Sequence, residues 1–107
     1  MKANNSYATK NPKEKAFLVG FSLKDSSDLM SIDDSLNELA FLAETAGVEV
    51  VGSETQILSK PNPATFIGSG KVEEIKLLAE SLKTDVVIFD TELSARNFRE
   101  LEEAFGI

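Results

Sequence analysis

The chain has 107 residues, a formal net charge of −7, and neither cysteine nor histidine. This length is enough for one small domain with a hydrophobic core. The absence of cysteine and histidine excludes a disulfide scaffold and the common zinc sites, and it removes the usual general base at neutral pH. The acidic balance argues against a uniformly basic nucleic-acid-binding protein, so any contact with a polyphosphate must be local.

Residues 1–14 are polar and predict a disordered tail. They lack the apolar stretch of a secretory signal. Further along, the longest apolar runs, AFLVGF and VVIF, are far too short to span a membrane. We therefore predict one domain over residues 15–107 and no membrane segment.

The first strand is predicted at Lys15–Leu23, a continuous apolar run typical of a strand buried on both faces of a parallel sheet. A polar loop follows, and Ser31 then precedes Asp34 at the spacing of a capping box. The apolar residues of the first predicted helix are Leu36, Leu39, Ala40, Leu42, Ala43 and Ala46. Gly47 is well suited to end that helix.

The second strand is predicted at Val48–Ser53, and a long loop with two prolines leads from it to Gly68 and Gly70. The apolar stripe of a second helix consists of Val72, Ile75, Leu78, Ala79 and Leu82. A third buried strand is predicted at Asp85–Asp90. Ser94 is then suited to cap a third helix, whose apolar face holds Phe98, Leu101 and Phe105.

The resulting order, βαβαβα, predicts an α/β fold with a parallel sheet between two layers of helices. The three strand-to-helix loops, near 23–30, 53–70 and 90–94, then lie at the carboxyl edge of the sheet, where such folds usually bind ligands. Gly106 resembles a helix-terminating residue, and Ile107 resembles the first residue of a fourth strand. We therefore expect this chain to be part of a longer protein.

The glycine-rich stretch KPNPATFIGSGKVEE, residues 60–74, raises the question of a phosphate-binding loop. A Walker A loop would need glycine where Thr65 stands and a magnesium-binding hydroxyl where Val72 stands, so this motif is excluded. A dinucleotide-binding motif also fails, because the third glycine is missing. Two interpretations remain. Either the glycines only permit a tight turn, or a contact site for phosphate or a partner domain is formed by Lys60, Gly68, Ser69, Gly70 and Lys71.

Other charged residues carry weaker indications. Asp90 and Glu92 lie near the end of the third strand, and two carboxylates could hold magnesium or perform acid–base chemistry. No Asp-rich metal loop or nucleophile–base pair accompanies them, so we interpret them as loop acids. Arg96 and Arg99 are interpreted as solvated helix charges.

Several stretches together resemble the N-terminal domain of HflX-type GTPases: FLVGF, VVGSETQ, KPNPATFIGSGKVEEI and VIFDTELSARNFRELEEAFGI. The resemblance covers residues 15–107. In the central stretch the family tends to have Asp, Tyr and Lys where this chain has Asn62, Phe66 and Ser69. The segment ELSARN stands where the family more usually has ELSPAQ, so Ala95 replaces a proline.

The resemblance implies a cytoplasmic, ribosome-associated protein that binds the large ribosomal subunit and its rRNA and splits or rescues stalled ribosomes. GTP and magnesium would bind in a separate GTPase domain, against which this domain would pack. No GTPase motif occurs here, so we expect no GTPase activity, catalytic residue, metal ligand or cofactor in this chain. ATP binding is also attributed to the N-terminal region of this family, so an ATP-binding module at the carboxyl edge of the sheet is the alternative. A purely structural module that restrains the GTPase domain is a third possibility.

Overall fold

The computed structural model describes residues 13–23 and 30–107. The predicted tail lies outside the described residues up to position 12, as does the polar loop at 24–29. The described elements are strand β1 (Lys15–Leu23), helix α1 (Met30–Thr45), strand β2 (Glu49–Leu58), helix α2 (Ser69–Ser81), strand β3 (Val86–Phe89) and helix α3 (Ala95–Phe105). The predicted element order is confirmed.

The three strands form a parallel sheet in the order β2-β1-β3. The central strand β1 pairs with β2 from Lys15 to Leu23, but with β3 only from Ala16 to Val19. The far ends of β1 and β2 therefore extend past β3 at the carboxyl edge. Residues 16–19 of β1 are at most 1% exposed, as expected for a strand covered on both faces.

Helices pack on both faces of the sheet, which confirms the three-layer arrangement. Phe17 and Val19 join a hydrophobic cluster with residues of α2 and α3, including Ile75 and Leu101. On the opposite face, Ala16 and Leu18 pack against Leu36 of α1. Because successive side chains of a strand point to opposite faces, one continuous apolar run supplies both halves of the core.

Helix α1 ends as predicted but does not begin as predicted. Gly47 has φ +92° and donates its N–H to the carbonyl of Glu44, while the N–H of Val48 reaches Ala43. This is the hydrogen-bond pattern of a Schellman motif. The prediction that Ser31 caps the helix is wrong, because α1 already includes Met30 and Ser31.

The predicted extent of the second strand also needs correction. Strand β2 continues through Leu58 instead of ending at Ser53, since β1 offers a backbone partner as far as Leu23. The loop before α2 is therefore shorter than predicted. Phe98 is 56% exposed, although Leu101 and Phe105 of the same helix face are buried. It lies near the rim of the sheet, beside edge strand β3, where the described residues leave it uncovered.

The end of the described chain agrees with the sequence analysis in part. Gly106 terminates α3 in the left-handed conformation, with φ +77°. The described residues form three strands, so the fourth strand stays a prediction. Across residues 13–23 and 30–107, none of the helices has the length and apolar character needed to cross a membrane.

Candidate contact loop

The glycine-rich stretch begins at the carboxyl edge of the sheet, after the end of β2 at Leu58, and its residues 69–74 form the start of α2. It does not extend freely into solvent. The ring of Phe66 packs edge-on against Phe21 of β1, with centroids 4.8 Å apart and planes at 81°. Ile67 is completely buried in the core. The segment over residues 59–68, called the contact loop below, is thereby anchored across the ends of the strands.

The contact loop is closed by its own hydrogen bonds. Asn62 and Phe66 exchange backbone hydrogen bonds of 2.9 and 2.8 Å. The side-chain oxygen of Asn62 accepts from the N–H groups of Ala64 and Thr65, at 2.8 and 3.2 Å. Asparagine is common in turns because its side chain can bond nearby backbone groups in this way. The loop therefore has a defined conformation without belonging to a helix or strand.

Phe66 occupies a strained position in this loop. Its φ is +69°, and the N–H of Ile67 donates to the carbonyl of Thr65 over 2.7 Å. A bond from residue i+2 to residue i around a positive φ is the pattern of a classic γ-turn, which is rare. Non-glycine residues in such regions persist when their surroundings hold them there. The burial of Ile67 and the packing of Phe66 on Phe21 supply part of that constraint.

Neither Gly68 nor Gly70 is required for a tight turn, so that interpretation of the two residues is wrong. Gly68 caps α2 with φ −65°, and a Cβ there would meet only the side-chain nitrogen of Gln56, at 3.5 Å. Gly70 lies inside α2, and a Cβ there would have no described atom within 4 Å. Both positions would accept alanine without local strain. The open space beside Gly70 is instead compatible with close approach by a partner.

The two candidate lysines differ in their surroundings. Lys60 is exposed. The ammonium group of Lys71 lies 3.2 Å from a carboxylate oxygen of Glu74 and 3.7 Å from one of Glu54. Two carboxylates thus surround one cation, and the local charge is negative. Lys60 is consequently better placed than Lys71 to attract a phosphate group.

The geometry also bears on the excluded Walker A motif. Val72 is 8% exposed and packs in the core, so this position offers no ligand to a magnesium ion. The hydroxyl of Thr65 donates to the carbonyl of Ile67 over 2.7 Å. Val72 thus serves the core and Thr65 serves the fold of the loop, and the two side chains do not form a phosphate cradle.

The residue that the sequence analysis missed is Asn97. It lies in the segment ELSARN, whose sequence alone indicates no role for it. It is 6% exposed, and its carboxamide nitrogen donates to the carbonyls of Pro63 and Ala64, at 3.1 and 2.8 Å. The confirmed N-cap at Ser94 gave a partial signal, since a capping box needs a side-chain acceptor three residues later. Nothing in the local pattern indicates a contact with residues 33 and 34 positions earlier.

The remaining charged candidates show no assembled site. The N–H of Asp90 donates to the carbonyl of Val19, and Glu92, Arg96 and Arg99 are exposed. In the part of the chain that the structure describes, no group of three acidic side chains is placed to hold a metal ion. A groove of about 190 Å³ lies elsewhere, between edge strand β3 and α3. Its lining is almost entirely apolar, with Glu102 as the charged exception, so it offers no evident chemistry.

Comparison with known proteins assigns the chain to a family. Residues 33–107 match the family described as GTP-binding GTPase N-terminal. The chain belongs to this family. The match includes the contact loop, both helices that pack on its side of the sheet, and most of the helix on the opposite face. The predicted resemblance to the N-terminal domain of HflX-type GTPases is confirmed.

Individual relatives agree with this assignment. The chain is 41% identical to a protein named GTPase HflX from Caldanaerobacter subterraneus, over 89% of this chain and 21% of that protein. It is 41% identical to GTPase HflX from Flavobacterium psychrophilum, over 76% of this chain and 19% of that protein. It is 34% identical to GTPase HflX from Escherichia coli, over 83% of this chain and 20% of that protein. The chain thus spans about one fifth of the length of these relatives.

Proposed function

We propose that this chain is the N-terminal regulatory domain of a cytoplasmic, HflX-like GTP-binding protein, and that it contacts the large ribosomal subunit and its rRNA. Membership of the GTPase N-terminal family supports the link to a GTP-binding protein. In the proposal, GTP and magnesium bind in a separate GTPase domain that packs against this one. The domain described here binds and regulates, and the complete protein splits or rescues ribosomes.

The contact site in this proposal consists of Lys60, Gly68, Ser69, Gly70 and Lys71. The observation that carries it is a closed, exposed loop with open space beside Gly70. A loop that is already ordered loses less conformational entropy on docking, so more of the contact energy appears as affinity. Ser69 and Gly70 are exposed, and the backbone there is accessible to a partner.

Lys60 carries the electrostatic part of the proposed contact, since Lys71 is held by Glu54 and Glu74. The best test is Lys60→Glu in the longer protein, measured by co-sedimentation with large ribosomal subunits at two salt concentrations. Loss of one phosphate contact should weaken binding and lower the salt slope of log K by about one. Lys71→Glu is unsuitable, because it would place a third carboxylate beside two others and disturb the fold.

Lys13→Glu is the matched control. Lys13 is exposed but precedes β1, so it lies at the opposite edge of the sheet from the contact loop. Both variants should retain the circular dichroism spectrum of the parent protein. Equal binding by folded Lys60→Glu and Lys13→Glu proteins would reject the loop as the ribosomal contact. ATP titration of the same proteins separates the alternative, since loss of ATP binding with intact subunit binding would favour a nucleotide module.

A further inference from the structure

Asn97 makes more hydrogen bonds than a helix cap requires. Its side-chain oxygen accepts from the N–H of Ser94 over 3.1 Å, and its own N–H donates to the Ser94 hydroxyl over 3.1 Å. These two bonds complete the capping box of α3. The carboxamide nitrogen is not needed for capping, yet both its hydrogens are directed at carbonyls of the contact loop. One nearly buried side chain therefore joins two separate structural units.

The contact loop has a matching requirement. Its internal bonds use the N–H groups of Ala64, Thr65 and Phe66, but the carbonyls of Pro63 and Ala64 are not acceptors in that network. Among the described residues, the partner of both carbonyls is the carboxamide of Asn97. Both hydrogen bonds are partly shielded from solvent, and losing them would leave the two carbonyls without this partner, so Asn97 favours this loop conformation over others.

We propose that Asn97 is a positioning residue that locks the contact loop, including the strained Phe66, in the conformation that a partner recognises. The loop conformation is coupled to the first turn of α3, and the loop meets its partner already ordered. This inference rests on the proposed function where it concerns binding. Where it concerns the loop conformation, it stands on the hydrogen bonds alone.

The two hydrogen bonds from Asn97 to the contact loop are called the latch below. Two substitutions separate this latch from the role of Asn97 in capping α3. Asn97→Asp keeps an oxygen that can accept from Ser94, but it replaces the donor nitrogen with an oxygen that faces two carbonyls. Ser94→Ala removes the hydroxyl that accepts from the N–H of Asn97, but it leaves the carboxamide free to hold the loop. The first variant should therefore release the loop and retain the helix, and the second should do the reverse.

The structural test is amide hydrogen exchange of the 107-residue chain, followed by NMR. In Asn97→Asp, exchange at the bridging amides of Asn62 and Phe66 should accelerate at least tenfold, since the two hydrogen bonds from Asn97 to the loop are lost. Amides of α3 such as Leu101 should change far less. In Ser94→Ala the first turn of α3 should accelerate more than the loop. Parallel acceleration of loop and helix in both variants would show that Asn97 is only a cap and overturn the proposal.

The binding test uses the longer protein and purified large ribosomal subunits. Asn97→Asp should weaken co-sedimentation, as Lys60→Glu does, whereas Ser94→Ala should bind normally. If the loop amides accelerate selectively but binding stays intact, the latch is supported and the contact role of the loop is rejected. If exchange in the loop is unchanged, the latch is rejected whatever the binding result.

Discussion

Gly52 and Gly70 show that glycines in one small domain can have opposite structural roles. A Cβ on Gly52 would lie 3.0 Å from the Phe17 ring and 3.1 Å from a methyl group of Leu82. Leu82, which caps the end of α2, and the ring of Phe17 in the central strand pack against β2 at Gly52. The absence of a side chain at Gly52 allows that packing. Beside Gly70 there is no described atom within 4 Å. The glycine that resembles a functional motif is thus the one that the fold does not need.

Alanine substitutions at these positions should shift stability in opposite directions. Gly52→Ala should lower the free energy of unfolding by about 1–3 kcal/mol, because the buried ring and Leu82 must move apart. Gly70→Ala should raise it by about 0.5 kcal/mol, because glycine is a poor helix former. Urea denaturation of both variants measures the difference. Destabilisation by Gly70→Ala would mean that the space beside this residue is occupied.

The contact proposal adds a second expectation for Gly70→Ala. If a partner approaches the backbone there, the added methyl group should weaken subunit binding although it stabilises the fold. Such a conflict between stability and binding is typical of functional positions. Binding that is unchanged in this variant would remove Gly70 from the contact site.

At the scale of elements, the same helix-ending motif occurs with two different residues. After α1 the left-handed position is Gly47, whereas after α2 it is Lys83, with φ +56°. Both ends show the paired backbone bonds of the Schellman motif; after α2 these run from Lys83 to Glu80 and from Thr84 to Ala79. A left-handed lysine is strained by its Cβ, and glycine is not. Helix α2 thus ends in the favoured geometry with an unfavoured residue.

Lys83→Gly should therefore stabilise the domain. The free energy of unfolding should rise by about 0.5–1 kcal/mol, because the relief of backbone strain in the folded state is larger than the added entropic cost of folding a more flexible chain. Lys76→Gly is the control, because Lys76 lies within α2 and glycine there should cost about 1 kcal/mol. Thermal unfolding of both variants should move the melting temperature in opposite directions. A loss of stability in both would contradict the assigned end of α2.

The sequence predicted the elements well where a local signal is strong. Strand β1 is a continuous apolar run, and α3 begins at a serine cap, so both were identified correctly. The second half of β2, SETQIL, is mostly polar and belongs to the sheet because its backbone pairs with β1 as far as Leu23 and Leu58. Such pairing is a tertiary effect that overrides local preference. The role of Asn97 could not be predicted for a related reason, since its partners in the contact loop are distant in sequence.

At the scale of the whole molecule, the chain combines a conventional core with a loop closed upon itself. Parallel sheets of this kind usually bind ligands in the crevice at the carboxyl edge. Here the contact loop crosses that edge, from the end of β2 past Phe21 of β1 to the first turn of α3. The loop itself thus occupies part of the region where a ligand would be expected. This placement favours recognition by an outer surface over enclosure of a nucleotide.

The final prediction concerns activity: the 107-residue chain should not hydrolyse GTP. A phosphate-binding loop needs free backbone N–H groups, a lysine that reaches the phosphates, and a hydroxyl for magnesium. In this chain Val72 is in the core and Lys71 is paired with two carboxylates, so the lysine and the hydroxyl are lacking. Phosphate release should be measured with magnesium and GTP across gel-filtration fractions, with the longer protein as the positive control. Turnover that follows the protein peak and disappears in Lys71→Met would contradict this reasoning, because it would require the ion pair to open and the loop to accept phosphate.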